Sequence, residues 1–233
     1  YVRLHRASDA AMGAWVTPEP NVHVLSNSPE ILLSIDGDHL RSDPIKGTRP
    51  RGSDPAHDRA LADELLASAK DAAELAMIVD LVRNDLGRVA RYGSVRVEAR
   101  TLRSHANVHH AHWPVHADLA AGHDAWDALA AVFPPGSVTG APKVRACQRI
   151  AELEPEPRGV YCGAVGYLDD SGRGRWSVAI RTGVWADGTL RYHVGGGVVA
   201  DSDPRSEWEE TEHKGRVLAA AAGVSPPSSS SRR

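Results

Sequence analysis

"GVYCGAVGYLDDSGRGRWSVAIRTGVWADGTLRYHVGGGVV", residues 159–199, decides the fold class. β-Branched and aromatic residues concentrate in three runs, "GVYCGAVGYL", "RWSVAIRTGVW" and "TLRYHVGGGVV". Ser171-Gly172 separates the first two and Asp187-Gly188 the last two, as turn dipeptides do between antiparallel strands. Three strands in an antiparallel meander are therefore expected. Upstream, Val22–Leu33 reads as a strand pair around "SNSPE", and His39–Ile45 as a strand running into a turn at "PIKGTRPRG", residues 44–52. "SVRVEA", residues 94–99, adds another.

Helical signals fall in separate blocks. Asp54-Pro55 supplies an N-cap with proline at the first helical position. Helix is expected to continue through "ALADELLASAK" and "AAELAMIVDLVRND", with Leu61, Leu65, Ala69, Ala73, Met77 and Leu81 as its apolar stripe. Asp124 starts a short helix ending at "FPPGS", Thr139 caps "APKVRACQRIAELE", and Asp203-Pro204 starts a last helix through Ala222. Strands and helices are segregated, which predicts an α+β fold. Residues 1–223 are read as one domain, and 224–233, "VSPPSSSSRR", as a disordered tail.

Composition excludes several classes. The 233 residues are 42% hydrophobic and 24% charged, as expected of a soluble globular chain. A formal net charge of −3 provides no basic face for nucleic acid. No apolar run approaches the roughly 18 residues that would span a membrane. Cys147 and Cys162 share no metal-type spacing and suggest a reducing, cytoplasmic setting. The chain opens on Tyr1, in a stretch that reads as the interior of a longer protein, so a fragment is expected.

Several residues invite a chemical reading. Glu207, Glu210 and Lys214 share one face of the last helix, where a surface Glu-to-Lys ladder is the simpler explanation. Glu74 lies beside an apolar stripe; carboxylates converging from different helices would suit Mg²⁺. Gly195–Gly197 fail as a dinucleotide motif and fit close backbone approach, with amides free for an anion or with a simple bulge. Arg181, among Val178, Ile180 and Val184, calls for an anionic partner. His112 and His116 have a zinc-like spacing, but no H-E-x-x-H or cysteine pair accompanies them and Trp113-Pro114 interrupts any helix. Lys46 alone reads as a solvated lysine in a turn.

Taken in order, "SPE" (28–30), "PIKGTRPRG", "ELAMIVDLVRNDLGRV", "FPPGSVTGAPKVRA", "RGVYCGAVGY", "AIRTG" and "GGGVVADSDPRSEWEET", with Lys214 beyond, resemble the chorismate-utilising enzymes. Those include the large subunits of anthranilate and aminodeoxychorismate synthases and the isochorismate and salicylate synthases. The resemblance covers residues 20–220. It implies a sandwich of antiparallel β-sheets with outer helices and the active site between layers. It also implies that Glu74 and Glu210, with Glu207 nearby, hold Mg²⁺. Arg181, Tyr161, Lys214, Ser137 and the amides of Gly195 and Gly197 would surround the carboxylates of chorismate. Glu30 would be the general acid, and His110 the histidine of the family's "HLVS" stretch. That stretch departs from the pattern, reading "HAHWPVHADL" from His110, with Trp113 and Ala117 in place of smaller residues.

Most of the family has alanine where this chain has Lys46. A lysine there is similar to the aminodeoxychorismate synthases, where the amine is a nucleophile. It would attack C2 of the ring and expel the C4 hydroxyl with a proton from Glu30, and ammonia would then enter at C4 and release the lysine. The resemblance thus implies Mg²⁺-dependent amination of chorismate toward 4-aminobenzoate and folate. Ammonia would come from a glutamine amidotransferase subunit or fused domain. The alternatives are anthranilate- or isochorismate-type chemistry on the same scaffold, or chorismate binding without turnover.

Overall fold

A computed structural model describes residues 1–7, 10, 12–105, 108–200 and 202–223. The expected tail, 224–233, lies outside the described residues. Three antiparallel sheets form the frame. The first has the order β1 (Met12–Glu19), β2 (Val22–Ser28), β12 (Thr182–Ala186), β13 (Thr189–Tyr192). The second runs β10 (Ala164–Leu168), β11 (Gly174–Val178), β3 (Ile31–Asp36), β4 (His39–Asp43), β9 (Val115–Asp118), β6 (Arg96–Val97). The third is β5 (Ile45–Pro50), β8 (Val108–His112), β7 (Thr101–Ser104). Helices α1 (Val2–Ala7), α2 (Pro55–Ala67), α3 (Ala69–Gly87), α4 (Ala125–Val132), α5 (Gly136–Thr139), α6 (Lys143–Leu153) and α7 (Pro204–Ala222) complete the described elements.

The sheets meet at two seams where paired strands cross together. β2 and β3 are consecutive, as are β11 and β12; β2 pairs with β12 and β3 with β11. The first seam therefore runs through Pro29-Glu30 on one strand and Ala179–Arg181 on its neighbour. Arg181 bends the second strand with φ +50, and its carbonyl accepts a hydrogen bond from Asn27 N at 3.1 Å. A second seam, at Pro44 and Trp113-Pro114, separates the β4–β9 pair from the β5–β8 pair.

The seams correct the expected meander. "RWSVAIRTGVW" is two strands in two sheets, and β10 and β13 pair with its opposite halves. Val22–Leu33 likewise holds two strands that do not pair with each other. Arg181 stands at the bend, outside the regular strands. The turn expected at residues 44–52 is largely strand β5.

Ser68 also alters the long helix. It ends α2 with ψ 110 and then caps α3, its hydroxyl accepting from Asp71 N at 3.2 Å. Helical phase is reset there, so Ala69, Ala73 and Met77 are exposed, while Leu75, Ile78, Val79, Val82 and Leu86 face the core. Asp54, Asp124 and Asp203 cap their helices as expected. Thr139 instead ends α5, its hydroxyl donating to Pro135 O at 2.8 Å, and α6 begins after Pro142 without a side-chain cap. The core lies between the second sheet and helices α3 and α4, built from Leu33, Ile35, Leu40, Leu75, Leu86, Val132 and Val178. Among the described residues no helix is long and apolar enough to cross a membrane.

Candidate active site

Glu30 sits on the first seam. The local "SPE" sequence fixes it: Ser28 Oγ accepts from Glu30 N at 3.2 Å, and Glu30 O accepts from Val178 N at 3.1 Å. The residue is 5% exposed and its side chain hydrogen-bonds Ser137 of α5. Burial pushes the carboxyl up to about 7; Ser137 and the positive charge of Lys46 pull it back, and Asp43 adds to the rise. A carboxyl near 7 is half protonated at neutral pH and can deliver a proton there.

Lys46 is on β5, aimed by a bulge. The register with β8 shifts between Lys46 and Thr48, where Gly47 takes φ +82. Bulges commonly re-aim a side chain beside a site. Here Lys46 Nζ lies 3.1 Å from Glu74 Oε2 of α3, with 34% of the lysine side chain and 16% of the glutamate exposed. Gly47 tolerates no side chain, because a Cβ would stand 2.7 Å from Leu65 Cδ1 and 3.0 Å from the Asp71 carboxyl. Gly47→Ala is therefore expected to lose about 1–3 kcal/mol through the left-handed backbone and the clash. Urea unfolding of the variant measures this, and an unchanged midpoint would refute the bulge's role.

The glycine run passes directly over these groups. A Cβ on Gly195 would lie 2.9 Å from the Tyr161 hydroxyl, one on Gly196 2.8 Å from Glu207 Oε2, and one on Gly197 2.7 Å from Lys46 Nζ. This settles the choice left by sequence: the glycines allow close approach. Lys214 Nζ donates to Gly195 O at 3.0 Å and pairs with Glu210 at 2.6 Å, tying α7 to the run. Burial, then the neighbouring Cys162 thiol, raises the Tyr161 phenol, which stays neutral.

Three predicted carboxylates border this space. Glu74 faces Lys46, Glu210 faces Lys214, and Glu207 accepts from Ser202 Oγ at 2.6 Å through Oε1. Glu207 Oε2 is buried and has no hydrogen-bond partner. Among the described residues, no three or more His, Cys, Asp or Glu side chains are gathered closely enough to hold a metal ion by themselves. An orphaned carboxylate oxygen suits a hard cation, and Mg²⁺ takes one or two carboxylates beside water and substrate oxygens.

His110, buried on β8, turns Nδ1 toward Thr48 Oγ1 at 3.1 Å and Gly47 O at 3.4 Å. The carbonyl only accepts, so the hydrogen is on Nδ1, and buried Nε2 presents a lone pair with no partner. Burial, and then the charge of Arg181, pushes the ring down to about 3, so it is neutral. Arg181 is half-buried, which lowers its guanidinium from the ordinary value, and no carboxylate of the described residues pairs with it. His112 and His116 lie in different sheets and meet Asp43 and Glu98, respectively.

The geometry thus joins Glu30 with Ser137, Lys46 with Glu74 and Gly197, Tyr161 with Gly195, Lys214 with Glu210, and His110 with Arg181. Comparison with known proteins gives the family. The sequence profile described as chorismate binding enzyme matches residues 1–220.

The chain belongs to that family.

Among its relatives, anthranilate synthase component 1 of Streptomyces coelicolor is 50% identical over 201 residues, 85% of this chain and 39% of that protein. Aminodeoxychorismate synthase component 1 of Salmonella typhimurium is 45% identical over 220 residues, 94% of this chain and 48% of that protein. The crystal structure of anthranilate synthase component I from Streptococcus pneumoniae superposes with a TM-score of 0.82 at 36% identity, covering 91% of this chain and 46% of that one. The chain therefore spans under half the length of these relatives. Its mixture of antiparallel sheets and helices is the fold of this chorismate-utilising family.

Two supporting residues escaped the sequence reading. Ser202, which holds Glu207, and Thr48, which holds His110, are small polar residues in a turn and a strand, and their type and position carried no signal.

Proposed function

We propose that this protein forms 4-amino-4-deoxychorismate from chorismate and ammonia through a covalent adduct with Lys46. The observation that carries this reading is the Lys46 amine, held against Gly197 and Glu74 within the electrostatic reach of the proton-bearing Glu30. In its neutral form the amine attacks C2 of the ring, the double bonds shift, and the C4 hydroxyl leaves as water with the Glu30 proton. Ammonia then adds at C4, the double bonds shift back, and the Lys46 nitrogen is released. Arg181 and the backbone of Gly195 and Gly197 receive the substrate carboxylates, with Tyr161, Ser137 and Lys214 around them. Neutral His110 accepts a hydrogen bond at Nε2.

Mg²⁺, held by Glu207 with Glu210 and Glu74, would neutralise one substrate carboxylate. Ammonia would come from a glutamine amidotransferase, as a separate subunit or a joined domain, and the product would serve 4-aminobenzoate and folate synthesis. The anthranilate route is the second reading, favoured by the 50% identity to an anthranilate synthase component. On that route ammonia enters C2 directly and Lys46 forms no bond.

Incubation with chorismate, Mg²⁺ and ammonium, followed by identification of the product, separates the two. An amine at C4 is expected, and omission of Mg²⁺ should abolish it. An amine at C2 would establish the anthranilate route instead.

A further inference from the structure

Behind Glu30 lies a buried carboxylate that the chemistry above does not use. Asp43 is 1% exposed and pairs across the β3–β4 ladder with Ile31, the residue after Glu30. Along the chain it stands three residues before Lys46, across the seam at Pro44. Its Oδ1 is 3.2 Å from His112 Nδ1, and its Oδ2 is 3.1 Å from Arg103 Nη2 and 3.3 Å from Arg41 Nη2. Those partners come from three strands: β8, β7 and β4 itself. His112 in turn sits opposite Ile45 in the β5–β8 ladder. The cluster therefore ties together the strand that leaves Glu30 and the strand that carries Lys46.

We propose that Asp43 is a positioning residue for the reaction: its negative charge, fixed beside the seam by His112, Arg103 and Arg41, adds to burial in favouring the protonated form of Glu30. This rests on the reading of Glu30 as the acid. Two opposing fields meet at Glu30. Lys46 on β5 and the Ser137 hydroxyl on α5 favour its carboxylate, and Asp43 on β4 opposes them. Burial alone would raise Asp43, but the hydrogen bond and charge of His112, then Arg103 and Arg41, outweigh it and hold Asp43 below its ordinary value. Asp43 is thus charged throughout the pH range in which Glu30 titrates. Without that charge, Lys46 and the Ser137 hydroxyl would act on Glu30 with less opposition, and its proton would leave at lower pH.

The test is a carboxyl ¹³C NMR titration of Glu30 in the native protein, in Asp43→Asn and in Arg103→Gln. Asp43→Asn keeps the shape and removes the charge, so the Glu30 midpoint is expected to fall. Arg103→Gln removes a cation paired with the same carboxylate, at a side chain 39% exposed, so the negative charge felt by Glu30 is less compensated and the midpoint is expected to rise. Opposite shifts distinguish charge from packing damage, and Arg103→Gln keeps the test available if Asp43→Asn fails to fold. Midpoints unchanged from the native value overturn the proposal. The pH at which product formation declines is measured alongside. If it fails to follow the NMR midpoint, Glu30 is not the acid and the functional reading falls, while the influence of Asp43 on Glu30 stands on the titration alone.

Discussion

Lys46→Ala is expected to lose formation of 4-amino-4-deoxychorismate by on the order of 10³-fold or more. A positioned intramolecular nucleophile acts with an effective molarity that can reach about 10⁵ M, and no free amine in solution replaces that. Glu30, Arg181 and the glycine run remain in the variant. Slow attack of ammonia at C2 is the route left, so the residual product should carry its amine at C2. The fold should survive. Lys46 is part-exposed and contributes one ion pair, to Glu74, whose loss costs about 1 kcal/mol or less. Activity is read by product analysis and stability by thermal melting. If Lys46→Ala makes the C4 amine at the native rate, the covalent route is wrong.

Glu30→Gln should separate function from stability in opposite directions. Glutamine matches the protonated acid in shape but supplies no proton, so turnover should fall by about 10²–10⁴-fold, the usual contribution of general acid catalysis. Folding, however, should become more favourable at alkaline pH. In the native fold Glu30 titrates at about 7, against an ordinary value of 4.5. The folded state holds the proton more tightly than the unfolded chain, so stability declines as pH rises from about 4.5 to 7 and levels off above. At about 1.4 kcal/mol per pKa unit, the decline from this carboxyl is about 3 kcal/mol. Glu30→Gln removes that decline. Urea unfolding at pH 5 and pH 8 should show a smaller drop in the variant than in the native protein. Equal drops would mean that Glu30 is not held protonated by burial.

Much of this arrangement was legible in the sequence, and the failures have a common cause. Aspartates at 54, 124 and 203 announce helix starts because capping is local chemistry between neighbours. Arg181 stood out as a charge in an apolar run, whereas Lys46 alone read as a solvated turn lysine and Glu30 gained its role only through the family resemblance. The β10–β11 and β12–β13 hairpins followed from their turns, but the division of the strands between sheets did not. A run such as "RWSVAIRTGVW" has one β pattern along its length, and nothing local reveals that Arg181 passes it from one sheet to another. Ser68 is a similar case: a single serine ends one helix and caps the next, and it shifts the buried face of everything after it. Asp43 drew no reading from the sequence, since its worth depends on Arg103 and His112, brought to it by long-range pairing.

The seam between the first two sheets bears on how this scaffold acquires new reactions. Glu30 and Arg181 stand between strand ladders, so their side chains can be exchanged without breaking the cross-strand bonding that maintains the frame. Lys46 has similar freedom, because the bulge at Gly47 fixes the direction of its side chain whatever that side chain is. Stability is vested in the ladders and in the leucine-rich layer beneath α3, and the proposed reactivity in side chains that contribute little to either. Substitutions at such positions can be tried one at a time, each leaving a folded protein on which selection can act. Anthranilate and aminodeoxychorismate synthase components that keep nearly half of this chain's residues are what such separation would produce.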